Sequence, residues 1–291
     1  MPRTWFELQV DVPTAVSDAV ANFLIESGSP GLQTDEHLAG VLLTAYYSQA
    51  LPLEPLQRFC AAIGFPLDHT AIRIREIAEE DWADNWKTHF RPQAIGTRLY
   101  VCPPWEADAP ADRVAIVIDP GMAFGTGQHA TTRGCLTLLE WAIAERPVER
   151  ALDLGTGSGV LAIALAKLGV SEVWAVDTDP QAIAAARANA ARNRVAASLH
   201  FAANVDAVPG VFEVIVANLF ANMLQELAPT LSRRLAPGGV LVCSGLLSEE
   251  EARVRGVFEA CGMAVRRRYN EAGWVTLGLE QTTDRCHHDF S

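Results

Sequence analysis

A glycine-rich segment near the middle of the chain constrains its fold more than any other feature. The sequence ALDLGTGSGV begins at Ala151, where a short apolar run leads into three alternating glycines. A helical pattern follows over 161–168, and a second apolar run over 173–176 ends at the carboxylate of Asp177. Glycine suits such a turn because a Cβ atom would keep a ligand away from the backbone. The order of strand, turn, helix and strand predicts a βαβ nucleotide-binding unit.

The spacing of these glycines distinguishes between two classes of cofactor. A dinucleotide site reads G-x-G-x-x-G, which would require a glycine at the position that Val160 occupies. Asp153 instead precedes the glycines in the pattern D-x-G-x-G-x-G, which is typical of S-adenosylmethionine (SAM) methyltransferases. Asp177 can accept hydrogen bonds from both ribose hydroxyls of an adenosine. The alternative is a purely structural turn, and the placement of both carboxylates argues against it.

The composition of the chain is that of a globular protein. At 291 residues, 49% of them hydrophobic, it has room for two domains with sizeable cores. No apolar run reaches the length of about 18 residues that a membrane-spanning helix needs. The first 20 residues also lack the pattern of a signal peptide. We therefore expect a cytoplasmic protein that does not associate with a membrane.

The six cysteines are scattered along the chain, and no two of them form a C-x-x-C pair. This spacing indicates reduced thiols rather than a disulfide framework or a zinc site. The segment Cys286-His287-His288 offers three donor side chains at the terminus without a fourth ligand. No metal site is predicted.

The net charge of −12 is a poor match for a protein that binds nucleic acid through its phosphates. Residues 1–80 contain four arginines against eleven acidic residues, so this segment contributes −7. Such a balance suits a basic partner. It is equally compatible with an acidic surface that keeps the protein in solution.

The first 78 residues predict a small α+β domain. Alternation and helical spacing indicate strands and helices in the order βαββαβ, at 5–12, 15–26, 31–34, 41–47, 53–63 and 72–77. This is the ferredoxin-like arrangement. It contains no evident nucleophile, base or ligand cluster, which favours substrate recognition. The alternative is a scaffold extension that only stabilises the rest of the chain.

A linker helix is predicted over 79–92, with Trp82, Trp86 and Phe90 on one face. Two strands at 98–102 and 114–118 precede a glycine-rich loop over 119–132. Its glycines, its aromatic residue and its histidine are typical of a segment that covers a ligand. Thr131 or Thr132 is predicted to cap the helix that follows. The alternative is an ordinary loop with a helix cap.

The remainder, from 93 to 281, predicts a doubly wound α/β domain. Strands and helices alternate through it, with strands at 199–202, 212–217 and 240–244, helices at 180–193, 223–235 and 249–261, and closing strands at 263–269 and 274–280. This alternation indicates a parallel, Rossmann-like sheet that ends in a strand pair. Residues 282–291 are expected to form a loose tail.

Three further stretches, 80–105, 119–132 and 216–219, together with the acidic front domain, resemble the bacterial ribosomal protein L11 methyltransferases, the PrmA family. The resemblance extends to about residue 281. It implies a class I SAM-dependent methyltransferase domain and a front domain that docks the ribosomal protein. It also implies repeated methylation of the α-amine and the lysine ε-amines of that basic substrate.

The resemblance further implies a set of site residues. The family's SAM contacts correspond to Thr132, Gly155, Asp177 and Asn218, and the residues that line the pocket correspond to Phe124, Thr126, Gly127 and Gly157.

The chain departs from the family pattern at three places. The family has Thr-His-Pro where this chain has Gln128-His129-Ala130, and it has cysteine where Thr156 stands. It also has small residues near 220–223, where this chain reads Phe-Ala-Asn-Met. The last difference lies beside the expected acceptor pocket and therefore bears on the acceptor more than on the cofactor.

Two residues are candidates for the chemistry itself. Asn218 ends a predicted strand, where sheets of this kind place their sites, so its amide is predicted to orient the acceptor amine. His129 is the candidate proton acceptor. A monomer is expected. Two other functions stay open, namely a methyltransferase of another protein or a small molecule, and a SAM-binding module without catalysis.

Overall fold

The computed structural model describes residues 4–29, 32–37, 40–68, 71–78, 90–119 and 127–282. The chain divides into two compact units, Met1–His89 and Phe90–Ser291. Most of the predicted linker helix, from 79 to 89, and the predicted tail beyond 282 lie outside the described residues. Across the described ranges, no helix is both long enough and apolar enough to cross a membrane.

The first unit has the ferredoxin-like fold that the sequence predicts. Its elements are β1 (Thr4–Val12), α1 (Thr14–Glu26), β2 (Leu32–His37), β3 (Gly40–Tyr47), α2 (Leu53–Ala62) and β4 (Ile72–Ala78). The strands form one antiparallel sheet in the order β2-β3-β1-β4. Apolar residues on one sheet face, including Leu8, Val10 and Leu43, are buried with Leu24 of α1 and Leu56 of α2. The other face carries mostly polar side chains.

The second unit contains the predicted doubly wound sheet. Its elements are β5 (Gln93–Ile95), β6 (Leu99–Cys102), β7 (Val114–Val117), α3 (Ala130–Ala144), β8 (Arg150–Leu154), α4 (Val160–Lys167), β9 (Glu172–Val176), α5 (Pro180–Arg192), β10 (Leu199–Ala202), β11 (Phe212–Asn218), α6 (Ala221–Arg234), β12 (Leu235–Leu247), α7 (Glu251–Ala260), β13 (Met263–Glu271) and β14 (Trp274–Gln281). Strands β5, β6 and β7 form a separate small sheet.

The large sheet has the order β10-β9-β8-β11-β12-β14-β13. Strands β8 to β12 run parallel, and β14 pairs antiparallel with both β12 and β13. Helices cover both faces, so the parallel strands read as continuous apolar runs rather than as alternating ones. One core packs α3 and α4 against the sheet, and a second core packs α6 and α7 on the other face. The C-terminal ends of β8, β9 and β11 therefore meet along one edge.

Strand β12 begins at Leu235, whereas the sequence predicted a strand from 240. Leu235 pairs with Phe212, and the register shifts before Val240 pairs with Val214. The Pro-Gly-Gly segment at 237–239 thus forms an irregularity inside the strand. A strand can continue through such a turn-like segment, as an irregularity in its pairing, when the neighbouring strand continues beside it.

The turn between β13 and β14 offers a test of local backbone strain. Ala272 has φ of 50° and Gly273 has φ of 81°, the left-handed pair that a two-residue hairpin turn requires. Alanine is disfavoured there, whereas asparagine tolerates this region. We expect Ala272→Asn to raise the free energy of unfolding by about 1 kcal/mol. Chemical denaturation measures the change. An equal gain from Ala260→Asn, in helix α7, would show that the turn is not its source.

Candidate functional site

The glycine turn between β8 and α4 is fixed by the neighbouring strand. The backbone N–H groups of Gly155 and Thr156 both donate to the carbonyl of Val176, at 2.8 and 2.9 Å. Gly155 has φ of 76°, and a Cβ atom on it would lie 2.5 Å from Cδ2 of Leu219. A larger residue here would have to adopt a strained positive φ and displace the Leu219 side chain, because the turn packs directly against the segment that follows β11.

Asp177 lies at the end of β9 and faces this turn. Its Oδ2 accepts the backbone N–H of Gly157 at 2.9 Å, and its Oδ1 accepts that of Asp179 at 3.0 Å. The side chain is half-buried. A carboxylate has about four lone-pair positions, so about two of them are left to accept from a ligand's hydroxyl groups. The geometry suits the ribose of an adenosine.

Asp153 lies under the turn and supports it from the core. Its Oδ2 accepts the hydroxyl of Thr156 at 2.6 Å and the N–H of Ala162, in the first turn of α4, at 3.0 Å. The side chain is fully buried, and burial raises the pKa of its carboxyl to about 7. The charge of Asp177 adds to this rise, while the two hydrogen bonds oppose it. Asp153 thus acts on the turn rather than on a ligand.

The raised pKa of Asp153 predicts a pH dependence of stability. Between pH 3.8, the ordinary pKa of this carboxyl group, and about pH 7, the folded chain retains a proton that the unfolded chain has released. The stabilisation from this group is therefore complete below about pH 4 and is lost as the pH rises to about 7, at about 1.4 kcal/mol per pH unit. Asp153→Asn removes this titration. We expect the variant to gain stability relative to the parent across that window in denaturation experiments without SAM, and a constant difference would contradict the assignment.

Thr132 is fully buried in the first turn of α3, and its hydroxyl has no hydrogen-bond partner among the described residues. A buried hydroxyl of this kind is costly unless a ligand satisfies it. Gly127 precedes this helix, and a Cβ atom on it would lie 2.8 Å from Cγ1 of Val101. Phe124 and Thr126 lie outside the described residues. The Thr132 hydroxyl can therefore form a hydrogen bond with a polar group of SAM, just as the Asp177 carboxylate can accept from the ribose hydroxyls.

Asn218 ends strand β11 at the same edge of the sheet. Its Nδ2 donates to the hydroxyl of Thr131 at 3.2 Å. The Nδ1 atom of His129 lies 2.8 Å from the same hydroxyl and accepts the backbone N–H of Thr131 at 3.4 Å. The prediction that Thr131 or Thr132 caps helix α3 is therefore wrong, because the helix begins at Ala130 and the imidazole of His129 is its cap.

Three residues that are not among the predicted site residues shape this edge. Besides Thr131, these are Leu219, which packs on Gly155, and Gly245, which has φ of 90°. A Cβ atom on Gly245 would lie 2.2 Å from the carbonyl oxygen of Leu219. The Leu219 segment is thus enclosed between two glycines. The only sequence signal for it was the glycine after Ser244, and a Ser-Gly pair after a predicted strand is too common to identify such a position.

The strand order, the glycine turn, the carboxylate of Asp177 and the unsatisfied Thr132 hydroxyl together define a class I SAM-dependent methyltransferase. Residues 4–282 match the family described as ribosomal protein L11 methyltransferase (PrmA). The chain belongs to this family. Its methyl donor is SAM, as the spacing of the glycines predicts.

Two relatives and one solved structure are similar to this chain over most of its length. The ribosomal protein L11 methyltransferase of Trichlorobacter lovleyi is 40% identical over 299 residues, which cover 95% of this chain and 98% of that protein. The corresponding protein of Pelobacter propionicus is 38% identical over 301 residues, which cover 95% of this chain and 97% of that protein. A solved structure of the ribosomal protein L11 methylase from Lactobacillus delbrueckii subsp. bulgaricus has 30% identity and a TM-score of 0.62, and covers 66% of this chain and 100% of that one.

Proposed function

We propose that this chain methylates the α-amine and the lysine ε-amines of ribosomal protein L11. The substrate follows from the match of residues 4–282 to the family, and the observation that most directly supports transfer to an amine is the position of Asn218. The residue after it, Leu219, packs on Gly155 of the cofactor turn, so the Asn218 amide lies beside the expected methyl donor. An amide side chain at this point can form a hydrogen bond with the acceptor amine and hold it for methyl transfer.

The chain's part in the reaction is chiefly positional. SAM supplies an electrophilic sulfonium methyl group when bound, so the chain needs no covalent nucleophile. A lysine with an ordinary pKa of about 10.4 must lose its proton before it attacks, and partial burial lowers that pKa by disfavouring the charged form. The Oδ1 atom of Asn218 accepts an N–H of the neutral amine and aligns the nitrogen lone pair with the methyl group. Such alignment contributes up to about 7–11 kcal/mol in favourable cases.

His129 remains the candidate proton acceptor. Its Nδ1 atom is engaged by the backbone N–H of Thr131 in the cap of α3. Uptake of a proton at Nδ1 would break that contact, so proton transfer would have to use Nε2. This makes His129 a weaker candidate for the chemistry than Asn218.

We further propose that the first unit binds the substrate. On the polar face of its sheet, Asp11 and Asp35 are both in register with Leu42, so the two carboxylates flank one apolar side chain. Both acidic side chains are exposed. Arg73 and Arg75 lie on the β4 side of the same face, opposite Gln9 and Glu7, so its acidic part is the end at Asp11 and Asp35. That end suits a basic segment of the substrate. The excess of acidic residues in the chain also leads us to expect that it acts without contacting nucleic acid directly. Its scattered cysteines suit the reducing cytoplasm, and we propose that it acts there as a monomer.

Neutralising the two carboxylates tests this role. An exposed charge pair contributes about 0.2–1 kcal/mol, so Asp11→Asn with Asp35→Asn is expected to raise the KM for ribosomal protein L11 about fivefold. The Kd for SAM and the kcat at saturation should not change. Glu54→Gln with Asp68→Asn, which removes equal charge elsewhere in the unit, is the matched control. Equal KM values in both double variants would contradict a recognition role for this face.

A further inference from the structure

A chain of hydrogen bonds joins Asn218 to the cap of helix α3 and passes through Thr131. We propose that Thr131 is a positioning residue that sets the direction of the Asn218 amide, so that Oδ1 rather than Nδ2 faces the acceptor amine. This inference rests on the proposed role of Asn218. It adds a role in positioning for Thr131, which the sequence suggested only as a helix cap.

The Thr131 side chain is placed for this purpose. It is 2% exposed, and its hydroxyl contacts two side chains, with Nδ1 of His129 at 2.8 Å and Nδ2 of Asn218 at 3.2 Å. Thr131 lies in the first turn of α3, whereas Asn218 ends β11. The hydroxyl is therefore a bridge between two elements far apart in the sequence.

The direction of each bond follows from the backbone. The N–H of Thr131 points at Nδ1 of His129, and a backbone N–H can only donate. Nδ1 is therefore an unprotonated acceptor. The single lone pair of Nδ1 is shared between that N–H, at 3.4 Å, and the hydroxyl of Thr131, at 2.8 Å, so we infer that the one hydroxyl hydrogen is directed at Nδ1. The hydroxyl oxygen is then left to accept, and the group of Asn218 that can donate to it is the Nδ2 amine.

The amide of Asn218 thus has a fixed orientation. With Nδ2 turned toward Thr131, Oδ1 is turned the other way and can accept from a substrate N–H. The reversed amide would set two acceptors, Oδ1 of Asn218 and Oγ1 of Thr131, against each other. It would also present an N–H₂ group to an amine whose lone pair must stay available for the methyl group.

The imidazole at the end of this chain is itself held in place. The ring of His129 packs edge-on against Trp274, with centroids 4.9 Å apart and planes at 69°. The residue before it, Gln128, is held through its carbonyl by Arg133, which forms a two-point ion pair with Glu271. Since Glu271 and Trp274 flank the β13–β14 turn, this hairpin supports the cap of α3.

A helix cap alone would not require the Thr131 hydroxyl. The cap is the bond from the Thr131 backbone N–H to His129, which valine at position 131 would retain. Replacement of the hydroxyl therefore separates the two roles, and serine restores the hydroxyl without the methyl group. Thr137, on the same helix, donates its hydroxyl to the backbone carbonyl of Arg133 and provides a matched control.

The experiment compares Thr131→Val, Thr131→Ser and Thr137→Val in the full chain, with kcat for ribosomal protein L11 and Kd for SAM as readouts. Misplacement of a reacting group costs up to about 100-fold, so we expect kcat of Thr131→Val to fall about 10- to 100-fold. The Kd for SAM should change less than about threefold. Thr131→Ser should recover most of the rate, and Thr137→Val should not alter it. A normal kcat for Thr131→Val, or a serine variant as slow as the valine one, would overturn the proposal.

A double-mutant cycle separates this inference from the proposed function. If Thr131 acts through Asn218, Thr131→Val should have no further effect on kcat in an Asn218→Ala background. Multiplicative losses in the double variant would contradict the positioning role while leaving the role of Asn218 intact. A fully active Asn218→Ala variant would contradict the orienting role of Asn218, whereas the absence of any methyl transfer to ribosomal protein L11 by the parent chain would contradict the proposed function instead.

Discussion

Replacement of Asp177 by alanine is expected to abolish tight SAM binding and, with it, methyl transfer at ordinary SAM concentrations. The substitution removes a carboxylate that can accept from both ribose hydroxyls, and hydrogen bonds to a charged group contribute about 1.5–3 kcal/mol each. It also leaves the N–H of Gly157 without its acceptor. We expect the Kd for SAM to rise about 100- to 1000-fold, as measured by calorimetry.

The neighbouring Asp179 provides the control for this prediction. Its Oδ1 accepts the N–H of Gln181 at the start of α5, so its carboxylate serves the helix. Asp179→Asn retains an acceptor oxygen, and its Kd for SAM should stay within about threefold of the parent, because the cap is preserved. Tight SAM binding by Asp177→Ala would show that the ribose lies elsewhere.

Replacement of Asn218 by alanine is expected to reduce turnover more than any other substitution at the acceptor side of the site. Without the amide, the amine loses the group that aligns its lone pair, and misplaced reactants cost about 100-fold in rate. Since Asn218 is also a predicted SAM contact, we expect a rise in Kd for SAM of less than about tenfold, equivalent to one hydrogen bond. Single-turnover kinetics at saturating SAM separates the two effects.

Asn270 offers a matched control for Asn218. Its Nδ2 donates to the hydroxyl of Ser248, and it is exposed on strand β13. Asn270→Ala should therefore leave kcat unchanged. Full single-turnover activity of Asn218→Ala would contradict the orienting role and would require the acceptor amine to be held by other groups.

The parts of the site that the sequence predicts are those encoded within short segments. The turn at Gly155 and the carboxylate of Asp177 lie within one βαβ unit, so their spacing alone predicts that they meet. Asp153 is part of the same pattern. The structure adds that its carboxylate serves Thr156 and helix α4 from within the core, a role that the spacing does not reveal.

The parts that the sequence does not predict depend on contacts between distant segments. Thr131 contacts Asn218 only because α3 packs beside β11, and no local pattern encodes that approach. The enclosure of Leu219 between Gly155 and Gly245 likewise joins three segments that are far apart in the sequence. The cap at His129 was missed because threonine is a favoured capping residue and the histidine lies two residues before Thr131.

The most direct test of the account is the transfer of labelled methyl groups from SAM to purified ribosomal protein L11, followed by mass spectrometry of the product. We predict label on the α-amine and on lysine ε-amines, with transfer lost in Asp177→Ala and strongly reduced in Asn218→Ala. Tight SAM binding by the full chain without any label on ribosomal protein L11 would contradict the proposed substrate, and label on groups other than amines would contradict the proposed chemistry.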